Sequence, residues 1–270
     1  MKLSVIITTY NSEEWLAKVL EGYCNQTEKD FEVVIADDGS TEKTKEVIAS
    51  FSSKFKYPII HVWQPDEGFQ KCKILNKAVL KTTTEYLLFT DGDCIPRKNF
   101  VAQHLKYKEE GYFLSGGYFK LPLSISKLIS FENIRKQDCF SIRWLTKNGL
   151  KYSFKLSKLT KINLFAQFMN WITPTKKTFN GHNTSCFKKD LLAVNGFNED
   201  MKYGGLDREL GERLFNLGIL SKQIRYSAIC IHLDHERGYF SQEEWNKNLE
   251  IRNYNSKHNI IKIKNGIEKL

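Results

Sequence analysis

Asp91 and Asp93, separated only by Gly92, follow a short apolar run, Leu87, Leu88 and Phe89, in a chain of 270 residues. Two carboxylates at i, i+2 suit a hard divalent cation that keeps open positions for phosphate oxygens. Asp-Gly-Asp is equally ordinary turn chemistry, so its position has to decide. A buried run read as a strand delivers the pair to its carboxyl end, where open α/β sheets bind ligands. A second acidic turn, Asp37-Asp38-Gly39-Ser40, follows another apolar run, 31–36, and is expected at the same sheet edge. His232 and His235 stand at i, i+3 after a third β-rich run. A nitrogen ligand beside carboxylate suits manganese better than calcium.

The elements that must carry these groups alternate. Leu3–Thr9 is β-rich, and 13–26 places Trp15, Leu16, Val19, Leu20 and Tyr23 at helical spacing behind Ser12, a fitting N-cap. Strand 31–36, a helix through Phe51, strand 59–63, a helix over 70–80 and the strand at Tyr86 complete four alternations. That order predicts an α/β chain with a parallel, doubly wound sheet. Beyond it the reading gives a helix after Phe100, a strand over 112–118 with Gly116 and Gly117 permitting close backbone approach, and a strand-like 179–187. A helix over 206–217, a strand over 224–232 and a helix over 242–258 follow, with 262–270 expected to fray. Residues 120–175 are basic and amphipathic, with Phe131, Phe140, Trp144, Phe154, Phe165, Phe168 and Trp171, and the pattern sets no element boundaries there; they fit either helices packed on the sheet or a mobile acceptor-binding flap.

Composition narrows the class. Hydrophobic residues at 41% and aromatics at 13% describe a globular protein, and no apolar run approaches the roughly 20 residues that cross a bilayer. The opening Met1–Ile7 lacks a small-residue cleavage site and reads as the first strand, which implies a cytosolic protein. Six scattered cysteines without a CxxC pair imply reduced thiols. The net charge of +10 sits largely in 120–190, where 14 Lys+Arg face 3 Asp+Glu. That excess suggests an anionic partner: a membrane surface or a phosphorylated acceptor. Nothing resembles a nucleic-acid module, and neither GxGxxG nor GxxxxGK[ST] occurs.

Taken in order, 5–11 (Val-Ile-Ile-Thr-Thr-Tyr-Asn), 33–41 (Val-Val-Ile-Ala-Asp-Asp-Gly-Ser-Thr), 90–96 (Thr-Asp-Gly-Asp-Cys-Ile-Pro), 180–185 (Asn-Gly-His-Asn-Thr-Ser), 194–200 and 204–210 (Gly-Gly-Leu-Asp-Arg-Glu-Leu) resemble a family 2 glycosyltransferase of the GT-A fold. The later motifs are similar to the carboxyl-terminal segment of galactosyltransferases and chondroitin-polymerase-like enzymes. The resemblance implies a Rossmann-like, mostly parallel sheet flanked by helices, with a helical basic insertion and acceptor region. It implies one domain over 1–260: a nucleotide-sugar half (1–118), an acceptor and catalytic half (119–240), and a carboxyl-terminal helix and tail (241–270).

By the same resemblance Thr8, Tyr10, Asn11, Asp37, Asp38, Lys73, Asp91, Gly92 and Asp93 would bind the donor, a UDP-sugar. Leu75 stands where the family has Arg, leaving Lys73 or Lys71 to supply charge. Asp93, His232 and His235 would hold Mn²⁺ or Mg²⁺. Asp207 matches the second acid of the family's Gly-Gly-Glu-Asp motif and would be the general base of an inverting transfer, with Leu206 replacing the Glu. His182, Asn183, Gly204 and Gly205 would bind the acceptor with Asp207. The implied acceptor is a surface glycan or glycolipid, such as lipopolysaccharide core or capsule, at the inner membrane face. A nucleotidyltransferase would need a Gly-rich basic loop after the first strand, which Thr8–Ser12 is not. A non-catalytic glycan- or membrane-binding domain would be expected to lack Asp93 or Asp207.

Overall fold

The computed structural model describes residues 1–235 and 241–269. Strands β1 (Leu3–Thr9), β2 (Phe31–Asp37), β3 (Ile60–Trp63) and β4 (Tyr86–Asp91) run parallel, joined by helices α1 (Glu13–Cys24), α2 (Glu42–Ser52) and α3 (Lys71–Lys81). After β5 (Cys94–Pro96) and α4 (Phe100–Tyr107) come β6 (Tyr112–Ser115) and β7 (Gly117–Lys120). The basic stretch folds as α5 (Leu123–Leu128), α6 (Phe131–Lys136), α7 (Ile142–Lys147) and α8 (Asn163–Ile172). The chain closes with β8 (Thr184–Phe187), α9 (Lys188–Ala193), α10 (Leu206–Asn216), β9 (Leu220–Gln223), β10 (Ile229–His232) and α11 (Gln242–Lys257).

A seven-stranded sheet runs β3-β2-β1-β4-β8-β6-β9, with β8 antiparallel to both neighbours, and a second sheet runs β5-β10-β7. Strand β1 shows why the first sheet sits in the middle. Leu3, Val5 and Ile7 point into one core with Trp15, Leu16 and Val19 of α1. Ile6 points into the other with Ile74, Leu75 and Val79 of α3. A strand apolar on both faces is what a covered parallel sheet demands. Each such side chain contributes roughly 1.5–3 kcal/mol on burial.

Four expectations are corrected. Residues 112–118 form not one strand but all of β6 and the start of β7, in different sheets. The chain crosses at Gly116, whose N–H donates to Asn183 O (2.9 Å), while that of Gly117 donates to Ala228 O (3.0 Å). A Cβ at 116 would lie 2.0 Å from Asn183 Oδ1 and one at 117 would lie 2.2 Å from Arg225 O, so only glycine fits. Only 229–232 of the expected strand 224–232 is strand, because Ser227 and Ala228 N–H groups close a tight turn on Ile224 O. Ser12 does stand at the N-cap of α1, but its side chain makes no capping bond. Through residue 269 the described tail does not fray: Ile267 is buried, and Asn195 Nδ2 donates to Ile263 O at 2.8 Å. The expected division at residue 240 lies outside the described residues.

Candidate active site

The parallel register aligns Thr9 with Asp37 and Thr8 with Asp91, so both acidic turns meet at one sheet edge. Gly92 N–H donates to Thr8 O at 2.8 Å, and a Cβ there would sit 2.9 Å from that oxygen. Asp91 Oδ1 accepts from Thr8 Oγ1 (2.7 Å) and from Lys71 Nζ (2.7 Å). Burial would raise the Asp91 carboxyl, but the Lys71 ammonium outweighs it and holds the carboxyl well below its usual range. Burial would likewise lower Lys71, but Asp91, then Asp207 and Asp93, hold it above the usual lysine value. Lys71 is therefore a counterion shared by three acids. Lys73, expected on the donor, instead pairs with Glu67 at 3.7 Å. Two residues along a helix turn the side chain roughly 200° away.

At the β1–β2 end, Asp37 is buried and accepts from Ser40 N–H (2.8 Å), with its other oxygen 2.9 Å from His61 Nε2. Asp38 accepts from Gln64 Nε2 (2.6 Å) and the Gln70 amide (2.9 Å). Burial pushes the Asp38 carboxyl up against those two donors. Tyr10, half exposed, donates its hydroxyl to Asp66 (2.8 Å). Asn11, at φ 42°, ties this turn to Ser40 and Thr41.

The antiparallel pairing of β5 and β10 aligns His232 with Cys94, which puts the imidazole beside Asp93. His235 Nε2 lies 2.9 Å from Asp93 Oδ2, and His232 Nε2 lies 3.8 Å from the same oxygen. His232 Nδ1 is 2.8 Å from Leu233 O. Donating there leaves the Nε2 lone pair toward Asp93, the arrangement of a ligating histidine. Cys94 Sγ donates to Asp93 Oδ1 (3.3 Å), and burial pushes that thiol far up. Asp93, Cys94 and His232 each bring a ligand atom within 4.8 Å of the others, with His235 held on the same Asp93 oxygen; carboxylate beside imidazole fits a divalent ion of the manganese type.

Asp207 occupies the first turn of α10, after Gly204 (φ 111°) and Gly205 (φ 75°). A Cβ at Gly204 would strike the Trp245 ring at 2.5 Å, so that glycine seats α11. Asn248 Nδ2 of α11 donates to the carbonyls of Lys202, Tyr203 and Gly204. Asp207 Oδ1 is buried without a hydrogen-bond partner. Burial pushes the carboxyl up, with Lys71 opposing and Asp91 adding to the rise. Glu209 has no part in that, being paired in the core with Arg213 at 2.7 Å and accepting from Asn255.

His182 packs edge-on to Tyr118, with centroids 4.6 Å apart, and its Nε2 is also buried and unpartnered. Burial holds this imidazole down at about 4, so it is neutral. His182, Asp207, Gly205 and Arg208 line a cavity of about 220 Å³. It shares Asn180, His182, Arg208 and Arg252 with a larger one of about 380 Å³ that adds Tyr118, Lys158, Lys176 and Arg225. Arg252 pairs with Glu212. Among the described residues no carboxylate pairs with Lys158, Lys176, Arg208 or Arg225, and Arg225 Nε is buried without a partner. Asn183 does not line this space. It is fully buried, donates to Gly117 O (2.7 Å) and Ala228 O (3.1 Å), and faces His104 through Oδ1 (2.9 Å).

Residues 4–123 match the model of glycosyl transferase family 2. The chain is 29% identical over 239 residues to a chondroitin synthase of Escherichia coli, covering 85% of itself and 34% of that protein, so it spans about a third of that relative. Its fold superposes on TarS of S. aureus solved with UDP-GlcNAc, at a TM-score of 0.65 and 18% identity, covering 97% of this chain and 70% of that one. A mannosyltransferase of Pyrobaculum calidifontis in complex with GDP-Man and Mn²⁺ follows at 0.59 and 18%, covering 95% and 61%. The fold is the GT-A fold of these enzymes.

Proposed function

With residues 4–123 those of a family 2 glycosyltransferase, we propose that this one is an inverting enzyme moving a sugar from a UDP-sugar to a hydroxyl of an anionic glycan or glycolipid. The observation that carries the reading is Asp207: a carboxylate with a raised pKa and an unpartnered Oδ1, lining the smaller cavity with His182, whose Nε2 is also unpartnered and which also lines the larger one. That oxygen takes the proton of the acceptor hydroxyl as its oxygen attacks the anomeric carbon. The new C–O bond forms as the bond to the diphosphate breaks, the electron pair leaves with the diphosphate, and the anomeric configuration inverts.

Asp93, His232 and His235 would hold Mn²⁺ or Mg²⁺, the nitrogen ligands favouring Mn²⁺. When bound, such an ion supplies charge neutralisation to the departing diphosphate. Thr8 and Lys71 fix Asp91 as a carboxylate able to accept from donor hydroxyls. Lys158, Lys176, Arg208 and Arg225 suit a phosphate or carboxylate on the acceptor. Lipopolysaccharide core or capsule, worked on from the cytoplasmic side, has that chemistry.

The test is Asp207→Asn, assayed for UDP release and transfer. Transfer falls about 10²–10⁴-fold while UDP-sugar affinity is kept; unchanged turnover overturns the base assignment.

A further inference from the structure

Helix α8 is apolar on both sides. Ala166 and Met169 pack inward on Tyr226, and Asn170 fixes the helix through Tyr226 N–H (2.8 Å) and Ser227 Oγ (2.9 Å). On the outward side Leu164, Phe168 and Trp171 are 79%, 52% and 82% exposed, and in the preceding stretch Tyr152 and Phe154 are each 81% exposed. Several large apolar side chains exposed together on one helix mark a contact surface. The charge around this one indicates the cover. Residues 139–189 contain ten Lys+Arg and no Asp or Glu. A second copy of the chain would bring the same positive field and be repelled, whereas an anionic lipid surface is attracted to it.

We propose that α8 and the preceding 151–161 stretch form an interfacial membrane anchor, inserting Trp171, Leu164 and Phe154 into an anionic bilayer while Lys151, Lys155 and Lys161 meet its headgroups. Aromatic side chains with lysines alongside are the composition of helices that lie in the interface plane. The anchor is continuous with the basic cavity: Lys158 before α8 and Lys176 after it line that space. An acceptor held in the bilayer would therefore meet the cavity mouth. Only this last point rests on the acceptor reading above; attachment to lipid does not.

The experiment is co-sedimentation of the purified chain with phosphatidylcholine vesicles, with and without phosphatidylglycerol. Binding is expected at least about tenfold tighter to the anionic vesicles and weaker as salt rises. The variant Phe154→Ser/Leu164→Ser/Trp171→Ser should lose it with an unchanged Tm, since these side chains are exposed. Lys151→Glu/Lys155→Glu/Lys161→Glu should lose the preference for phosphatidylglycerol. Quenching of tryptophan emission by brominated lipid should be reduced in Trp171→Phe. Equal binding to both vesicles, unchanged binding of the triple serine variant, or a lipid-free dimer abolished by it would overturn the proposal. No turnover is read, so the result stands apart from the fate of the base assignment.

Discussion

Replacing Lys71 by Met keeps the methylene stem and deletes the ammonium that Asp91, Asp207 and Asp93 share. At 2.7 Å from Asp91 Oδ1, the gross attraction is of order 6 kcal/mol at an effective dielectric of ~20. Desolvation offsets much of it, since the two side chains are only 20% and 26% exposed. Removing one partner of such a pair should cost about 3 kcal/mol net, a fall in Tm of roughly 6–12 °C. The pH dependence fixes the sign. Asp91 is held below its ordinary pKa, so its stabilisation is present above the carboxylate range and lost as pH falls through the depressed value. The deficit of the variant is therefore largest near neutrality and shrinks in acid. Asp207 loses the cation that opposes its rise, so the acid limb of kcat/KM moves to higher pH. Thermal unfolding at several pH values and a UDP-release profile read both effects. An unchanged Tm near pH 7 with an unmoved acid limb would refute the shared-counterion reasoning.

Asp207→Asn should stabilise the fold while disabling it, by about 1–3 kcal/mol, because it removes a buried charge with an unpartnered oxygen. The folded carboxyl is raised, so the gain in Tm should be greatest at high pH and fade as pH falls through its pKa. Arg213→Met leaves Glu209 in the core without its ion-pair partner and removes donors from Val194 O and Gly196 O. Urea unfolding should show a loss of about 3–5 kcal/mol, and a loss below about 1 kcal/mol would contradict the packing described. Arg225→Leu should raise KM about tenfold for a phosphorylated or carboxylated acceptor and leave kcat unchanged, a guanidinium–anion contact being worth about 1.5–3 kcal/mol. An equal effect on an uncharged acceptor analogue would point to packing instead.

The parallel half was readable because its signals are local. Leu3–Thr9 and Phe31–Asp37 are apolar on both faces, and each hands an acid to the same edge. The His232–His235 spacing was readable too, although only the pairing with Cys94 brings it to Asp93. Lys71 and Lys73 are indistinguishable in sequence, since both look like solvated helix lysines; the angle at which α3 begins decides between them. Asn183 lies in a Gly/Asn-rich stretch that suggests a ligand pocket, and its partners Gly117, Ala228 and His104 are all distant in sequence. Arg225 is equally remote from the motifs whose cavity it lines. Element boundaries in 120–175 were not legible because short helices capped by Ser130 and Ser141 alternate with short 3₁₀ segments at 138–140 and 154–159.

One titration bears on the centre of the account: Mn²⁺ added to the protein with saturating UDP, with free Mn²⁺ followed by its paramagnetic resonance signal. The wild-type chain should deplete that signal, while Asp93→Ala and His235→Ala should each weaken Mn²⁺ affinity by at least about tenfold. Wild-type affinity in both variants would mean that Asp93, His232 and His235, close as they stand, hold no ion for the diphosphate.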